Sequence, residues 1–486
     1  MLVPGMHKEK PTERRLIMPE TERYDALIIG SGEAGKYMAW TMAKAGHRTA
    51  VIERKLVGGS CPNIACLPSK NIIRSAKVAS FAKRAEEFGL EIGSPVTNMA
   101  GVQRRKRKMV ADLIQVHLDR YKTAGAELVM GTARFVAPRT VEVSLNAGGS
   151  RVIAGDRVFL NLGTHAAMPE VPGLAAAQPM THVEALDLDR LPEHLVVIGG
   201  GFVALELAQA MRRFGSRVTV IEVGLQLAGK EDGDVAAALL EVFRDEGIEV
   251  LLETEVLKVE GRSSQQVRIH IKAANRERVV DGTDLLVATG RSPNTRGIGL
   301  DQAGVELDAR CYVKVNDRLE TTAPNVWAMG DCAGSPHFTH VAFDDFRVVR
   351  DNLNGGNRTT KDRLIPFCIF TDPELARVGL NESEAKSRGI AYRVANMPMA
   401  TVLRTRTLSE PRGFMKMLID AHSDRILGFT VFGVEASELM ATVQTAMLGD
   451  LPYTALRDAI FTHPTVAEGL TVLLANVPAK EARQAA

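Results

Sequence analysis

Two glycine-rich turns, each followed at the same distance by an acidic residue, constrain this chain more than any other feature. A short apolar run from Tyr24 enters Gly30-Ser31-Gly32-Glu33-Ala34-Gly35, a helical stretch extends to about Ala45, and a second apolar strand runs from Thr49 to Glu53. Glu53 stands 23 residues after Gly30. The device recurs: His194 to Ile198 lead into Gly199-Gly200-Gly201-Phe202-Val203-Ala204, a helix extends to about Phe214, and the strand Arg217 to Ile221 ends at Glu222, again 23 residues after the first glycine. The glycines permit a tight turn and let a pyrophosphate approach a helix N-terminus, while the acid accepts from a ribose 2′-OH. Gly30, Gly32, Gly35 and Glu53 are therefore expected at one nucleotide, and Gly199, Gly201, Ala204 and Glu222 at another, Ala204 being a permitted small third residue. One such match is weak evidence; two with equal acid spacing predict two dinucleotide sites.

A chain of 486 residues exceeds one ordinary core and predicts two to four domains. Its 60 basic and 58 acidic side chains leave a net charge of +2, which gives no reason to expect nucleic acid or another polyanion as partner. Five cysteines, an odd number, do not form a secreted disulfide framework and point to a reducing, cytoplasmic setting. Residues 1–22 are charged, lack an apolar signal core and are expected as a disordered tail. No run approaches the ~18 apolar residues of a membrane span, so no membrane partner is expected. The basic run Arg104-Arg105-Lys106-Arg107-Lys108 falls inside a long helix predicted from Met99 to Ala124 and is expected as a solvated helix face.

Leu67 to about Phe88 is predicted helical, and Leu128 to Ala154 is predicted as short strands with a turn at Asn146–Gly149. Val250 to Ile271 and Arg278 to Ala288 alternate like strands. A short strand, Val326 to Met329, enters Gly330-Asp331. From about Leu364 the texture changes to a separate α+β domain. The late Gly290 and Gly330 motifs suggest that a later segment completes the first domain and that the second domain is inserted into it.

Two cysteines five positions apart follow the first fingerprint, in Gly58-Gly59-Ser60-Cys61-Pro62-Asn63-Ile64-Ala65-Cys66-Leu67-Pro68-Ser69-Lys70. They can close a small disulfide loop at a helix start, where N–H groups favour a thiolate on the second cysteine. The spacing alone also admits a metal-ligand pair, but no second Cys/His pair with zinc spacing accompanies it, and no metal site is expected. Cys311, Cys332 and Cys368 stand alone and read as small buried side chains.

These motifs together resemble the pyridine-nucleotide class of flavoprotein disulfide reductases, which includes dihydrolipoyl dehydrogenase, glutathione reductase and mercuric reductase. Gly58 to Lys70 matches its redox motif, Gly-Gly-x-Cys-x-Asn-x-x-Cys-x-Pro-Ser-Lys. Thr321 to Asp331 looks like its second FAD motif, and Phe461-Thr462-His463-Pro464-Thr465-x-x-Glu468 like its C-terminal His–Glu motif. The likeness runs from about Tyr24 to Val477. It implies an α/β fold of two Rossmann-like FAD- and NAD(P)-binding domains plus a C-terminal α+β dimerisation domain. The implied bounds are 23–165 and 290–363 for FAD, 166–289 for NAD(P) and 364–486 for dimerisation.

The resemblance further implies FAD on the first fingerprint and NAD(P)H on the second, with cofactor contacts at Gly59, Gly163, Gly290, Arg291, Gly330 and Asp331. Asp331 matches the acid that binds the ribityl chain. Cys66 is the implied flavin-facing thiol and Cys61 the interchange thiol. Lys70 and Glu206 match an ion pair beside the flavin's central ring, and Phe202 falls where several relatives carry a Tyr over the nicotinamide pocket. His463, oriented by Glu468, is the implied acid/base and faces Cys61 of the partner subunit, so the active sites of a homodimer are shared.

Glu222 suits a free 2′-OH and repels a 2′-phosphate, and 223–226 supply no Arg, so NADH is expected over NADPH. The expected activity is an FAD-dependent oxidoreductase passing electrons from NAD(P)H through Cys61 and Cys66 to a small disulfide, metal-ion or quinone acceptor. The segment from His340 to Arg347 looks like the mercuric-reductase-like and reactive-chlorine-resistance branches. No vicinal cysteine pair occurs near the C-terminus, as mercuric reductases carry, which counts against mercury itself. Pro62, Ala65 and Leu67 are departures within the redox loop. A second reading is a dihydrolipoyl dehydrogenase oxidising dihydrolipoamide with NAD, favoured by Glu222 and the His463–Glu468 pair. A third, a flavin-binding interaction protein with residual diaphorase activity, is opposed by the intact Cys61, Cys66, Lys70 and His463.

Overall fold

The structure, a computed structural model, describes residues 20–274 and 276–480. The first fingerprint folds as β1 (Thr21–Ile29), α1 (Glu33–Lys44) and β2 (Thr49–Glu53). Ala26, Leu27, Ile28 and Ile29 are buried on both faces, the mark of a central parallel strand rather than an alternating one. The cysteine loop contributes a short α2 (Ser60–Asn63) and opens α3 (Cys66–Lys83), which packs on α4 (Met99–Ala124). Three strands follow, β3 (Glu127–Ala137), β4 (Thr140–Leu145) and β5 (Ser150–Leu160). β1 lies parallel between β2 and β5, β3 lies parallel to β2, and β3, β4 and β5 form an antiparallel meander.

Three sequence expectations shift here. β1 starts at Thr21, where Glu22 pairs with Ile153 and receives the Arg151 guanidinium at 2.7 Å. Thr21 and Glu22 thus belong to the sheet rather than to the tail expected over 1–22, and residues 1–19 of that tail lie outside the described residues. The strands expected as short between Leu128 and Ala154 are instead dominated by two of 11 residues each. Their glycines mark close approach of backbones, not strand ends: a Cβ on Gly155 would lie 2.5 Å from the Leu27 Cβ, and one on Gly131 2.6 Å from the Ser144 oxygen. The basic run on α4 is only partly a solvated face. Arg104, Arg105, Arg107 and Lys108 are exposed, but Lys106 is buried, donating to the Leu186 carbonyl at 2.8 Å and pairing with Asp187. Gln103 donates to the Leu186 and Leu188 carbonyls beside it.

The chain then passes through β6 (Thr164–Ala166) and α5 (His182–Leu186) into the second fingerprint: β7 (His194–Ile198), α6 (Phe202–Phe214), β8 (Arg217–Ile221), α7 (Gly233–Asp245) and β9 (Glu249–Leu251). An antiparallel sheet of β10 (Thr254–Arg262), β11 (Gln266–Ala273) and β12 (Arg276–Gly282) covers the parallel one through Val196, Ile198, Val259, Val267 and Ile269. After β13 (Asp284–Val287), which sits beside β7, the strand β14 (Arg291–Pro293) pairs back on β6. Next, β15 (Val326–Ala328) returns to the first sheet alongside β5, and α8 (Thr339–Leu353) packs on α1. The molecule thus has two Rossmann-like α/β domains.

The remaining chain forms a distinct α+β domain. It comprises β16 (Phe367–Ile369), β17 (Glu374–Gly379), α9 (Glu382–Ser387), β18 (Tyr392–Pro398), α10 (Leu403–Thr407), β19 (Phe414–Asp420), β20 (Ile426–Gly433), α11 (Ala436–Leu448), α12 (Tyr453–Arg457) and α13 (Gly469–Ala475). Its antiparallel sheet runs β16-β17-β20-β19-β18. A fully buried Lys416 joins it to the second Rossmann domain, with Nζ 2.8 Å from Asp232, 2.8 Å from Asp234 and 3.0 Å from Glu382. Among the described residues no helix is long and apolar enough to cross a membrane.

Candidate functional site

The first glycine turn is built on Asn161, a residue that sequence reasoning missed. Its Oδ1 accepts from the Gly35 N–H at 3.0 Å, its Nδ2 donates to the Met329 carbonyl at 2.9 Å, and its backbone N–H donates to Ile29. Gly30, Gly32 and Gly35 are glycines because no Cβ fits. It would meet the Asn161 carbonyl at 2.2 Å, Asn161 Oδ1 at 2.5 Å and the Gly30 carbonyl at 2.2 Å, respectively. Gly59, at φ +75°, packs 2.6 Å from the Gly32 Cα by the same measure. No side chain caps the N-terminus of α1 at Gly32 or of α6 at Gly201, which leaves backbone donors at both fingerprints. A Cβ on Gly201 would meet nothing within 4 Å, so that face is open for a ligand. Uncapped helix N-termini at both fingerprints, with an open face at Gly201 in the second, fit two dinucleotide phosphates.

The two acids sit as their spacing predicts. Glu53 is buried, accepting from Ser31 N–H and Oγ–H through Oε2 and from Lys55 and Leu56 N–H through Oε1. Glu222 accepts from Gly200 and Gly224 N–H, and it is followed by exposed Val223 and Leu225. Gly199 turns at φ +116° against the Ala288 carbonyl, and Ala204 is wholly buried behind it. Glu33 places a carboxylate in the first turn of α1, and the Lys36 ammonium at 2.7 Å compensates it.

Cys61 and Cys66 are free thiols. Gly58 and Gly59 take consecutive left-handed conformations to form their loop, and Asn63 closes it by donating to the Val57 and Gly59 carbonyls at 2.9 and 2.8 Å. Cys66 opens α3, and its Sγ lies 3.2 Å from Thr339 Oγ1 at the start of α8. The pair is electrostatically unequal. Hydrogen bonding from Cys61, then from Thr339, together with the nearby Lys70 ammonium, outweighs burial and holds the Cys66 thiol below its ordinary range. The same Cys66 contact, with burial, pushes Cys61 up. Burial pushes Cys332 up to about 12 and raises Cys368 too, consistent with isolated packing thiols.

Around this pair the chain converges. Lys70 Nζ lies 2.7 Å from Glu206 Oε2, and Glu206 Oε1 accepts from the Phe370 N–H at 2.9 Å. Asp331 accepts from Thr164 Oγ–H at 2.6 Å, and Thr164 accepts in turn from Arg291 Nε at 2.6 Å. Burial lowers the Arg291 pKa, opposed by Asp331 and Cys66. Gly163, Gly290 and Asn294 lie where the two interdomain strands cross: Asn294 N–H donates to Gly163, and Ala167 N–H donates to Gly290. Gly330, at φ +72°, donates to the buried Asp345 carboxylate at 2.7 Å, which also accepts from Ser335 Oγ–H and Arg363. Phe202, two-fifths exposed, stands 6.3 Å from Phe338 by ring centroids.

His463 and Glu468 are joined to each other, Nδ1 to Oε2 at 2.8 Å, on the C-terminal domain. The His463 side chain is 65% exposed, and among the described residues no hydrogen bond links it to Cys61 or Cys66 of its own chain. Thr339, Thr164, Asn161 and Phe370 carry no sequence signal because each acts from an element far along the chain; Asp345 lies in the His340–Arg347 segment, whose likeness to one branch is the only sequence signal on α8.

The comparisons agree with this geometry. Residues 24–345 match the pyridine nucleotide-disulphide oxidoreductase family, and residues 365–473 match its dimerisation domain. The chain is 34% identical to a probable pyridine nucleotide-disulfide oxidoreductase, RclA, of Escherichia coli over 94% of this chain and 99% of that protein. It is also 34% identical to a mercuric reductase of Acidithiobacillus ferrooxidans over 91% of this chain and 80% of that protein. The solved Cu(II) complex of the HOCl-induced flavoprotein disulfide reductase RclA from Escherichia coli superposes with a TM-score of 0.86 at 33% identity, covering 94% of this chain and 99% of that one.

Proposed function

The chain belongs to the pyridine nucleotide-disulphide oxidoreductase family, and on that footing we propose that it reduces a thiophilic metal ion, copper(II) foremost, or a small disulfide at the expense of NADH. It is an FAD-binding, NAD(P)-linked oxidoreductase with a candidate redox pair, Cys61–Cys66. The observation that carries the proposal is the unequal setting of that pair: Cys66 opens α3 with its Sγ 3.2 Å from Thr339 Oγ1, beside a partly accessible Cys61. The Cu(II) complex of the Escherichia coli relative supports the choice of metal.

Bound FAD supplies two-electron exchange between NAD(P)H and the cysteine pair. The uncapped N-terminus of α1, in the turn that Gly30, Gly32, Gly35 and Gly59 make possible, would hold its pyrophosphate, Glu53 would take the ribose, and Asp331, held by Thr164 and Arg291, would take the ribityl chain. Gly163 and Gly290 at the β6–β14 crossing, and Gly330 after β15, would lie against it. Gly199, Gly201, Ala204 and Glu222 would form the NADH site, Phe202 would cover the nicotinamide, and the Lys70–Glu206 pair would border the flavin. Oxidation of the two thiols to a disulfide releases two protons and two electrons, enough to convert two copper(II) to copper(I). With a disulfide acceptor, His463 of the partner subunit, oriented by its glutamate, would take the Cys61 proton as Cys61 attacks one sulfur and would give it to the departing thiolate; Cys66 would then attack Cys61 of the mixed disulfide and release the second thiol. The functional unit is then a homodimer in the cytoplasm, with FAD bound by 23–165 and 290–363, NADH by 166–289 and the partner by 364–486.

The test is a steady-state panel of the FAD-loaded enzyme with NADH and NADPH against Cu(II), Hg(II), glutathione disulfide and quinones, and with dihydrolipoamide plus NAD. NADH-driven Cu(II) reduction that disappears in Cys61→Ser and Cys66→Ser is expected. A high kcat/KM for dihydrolipoamide alone would replace this reading with dihydrolipoyl dehydrogenase, which the intact 2.8 Å His463–Glu468 bond also serves.

A further inference from the structure

Between β16 and β17, residues 370–373 leave the C-terminal domain and lie along two helices of the Rossmann domains. On α6 the contacts fall at Glu206, Gln209 and Arg213, one helical face. Phe370 N–H donates to Glu206, Asp372 and Gln209 exchange hydrogen bonds at 2.8 Å in both directions, and Arg213 pairs with the Asp372 carboxylate. On α3 the contacts fall at Lys70 and Lys77, two turns apart. Lys77 lies 2.9 Å from Asp372, and the Lys70 ammonium stands 4.6 Å from the centre of the Phe370 ring. Both Glu206 oxygens are therefore committed, one to the Phe370 backbone and one to Lys70. The lysine itself is 31% exposed, while Glu206 is buried.

We propose that Phe370 is the positioning residue of the Lys70–Glu206 pair. Its backbone N–H fixes the rotation of the carboxylate, and its ring holds the ammonium that the carboxylate alone would leave free to swing toward water. A cation over an aromatic face is attracted by the ring quadrupole, more strongly where solvent is partly excluded. The C-terminal domain thereby sets where a positive charge stands. The inference rests on the reading that Lys70 borders the flavin, where that charge favours the reduced, more negative form.

The experiment is the midpoint potential of FAD in the intact holoenzyme, by anaerobic dye titration, for wild type, Lys70→Met, Phe370→Leu and Phe370→Tyr. Lys70→Met is expected to lower the potential most. Phe370→Leu, which keeps the N–H and loses the ring, lets the ammonium move toward water and lowers the potential by part of the Lys70→Met shift. Phe370→Tyr restores the wild-type value. Should the leucine variant lose FAD, Phe370→Met carries the same measurement. A Lys70→Met shift with the ringless variants at wild type overturns the inference alone, as does a shift that tyrosine does not rescue. No shift in Lys70→Met overturns the reading beneath it as well.

Discussion

Replacing Thr339 with valine tests the thiol pair directly. The substitution keeps the shape of the side chain and removes one donor, whose Oγ1 lies 3.2 Å from Cys66 Sγ. A hydrogen bond to a charged acceptor contributes about 1.5–3 kcal/mol, and the presence of a second donor, Cys61, argues for the lower end. Each ~1.4 kcal/mol is one pH unit, so the Cys66 midpoint should rise by about one unit. Below that midpoint the thiolate fraction falls about tenfold. The assay is the pH dependence of the long-wavelength thiolate–flavin absorbance after anaerobic addition of one equivalent of NADH, with iodoacetamide alkylation of the reduced enzyme as a second measure. A midpoint unchanged or lowered in Thr339→Val would refute the account, because Lys70 and the α3 N-terminus would then hold the thiolate without α8.

Two further outcomes concern stability. Asp345→Ala leaves the Gly330 N–H without its acceptor and the Arg363 guanidinium with only the longer 3.4 Å contact to Asp344, and loss of one partner from a buried pair costs up to about 3–5 kcal/mol, read as the urea unfolding free energy of the holoenzyme; Asp344→Ala, on a more accessible carboxylate, should cost clearly less, and equal losses would show that Asp345 is not the anchor. Burial, with Lys36 and Arg120 nearby, holds the His117 pKa down to about 4. Its folded pKa lies below its unfolded value, so the associated stability is present above pH ~6.5 and is lost as pH falls toward 4. Relative to His117→Gln, wild type should lose up to about 3 kcal/mol across that window, and parallel pH profiles for the two proteins would exclude His117 as the source.

The parts of this molecule legible in its sequence are those whose geometry is local. Gly30 to Glu53 and Gly199 to Glu222 each contain their whole strand–turn–helix–strand unit, so spacing alone places Glu53 and Glu222. The cysteine loop is equally local, and Asn63 closes it within six residues. What spacing cannot reveal is a partner delivered from elsewhere. Asn161 looks like any polar residue after a strand until Gly35 and Met329 arrive around it. Lys106 looks solvated in a run of five cations because its acceptors belong to the end of α5. Gly155 carries no sequence signal of its role, because the residue it makes room for, Leu27, lies on another strand. The His463–Glu468 pair was legible as a motif, and its two residues meet at 2.8 Å, while among the described residues no hydrogen bond joins it to the cysteine pair of its own chain.

Asn161 also has a consequence for how the protein is made. The amide that supports the first glycine turn is itself held by the carbonyl of Met329, and β5 gains its outer neighbour only when Val326–Ala328 has been synthesised. A nascent chain that has already exposed Gly30 to Glu53 at the ribosome therefore carries the fingerprint without its floor. Roughly two thirds of the polypeptide must emerge, including an entire intervening domain, before that floor is complete. The last strand of the first sheet, Val326–Ala328, thus reaches its place beside β5 only after the whole intervening segment has left the ribosome.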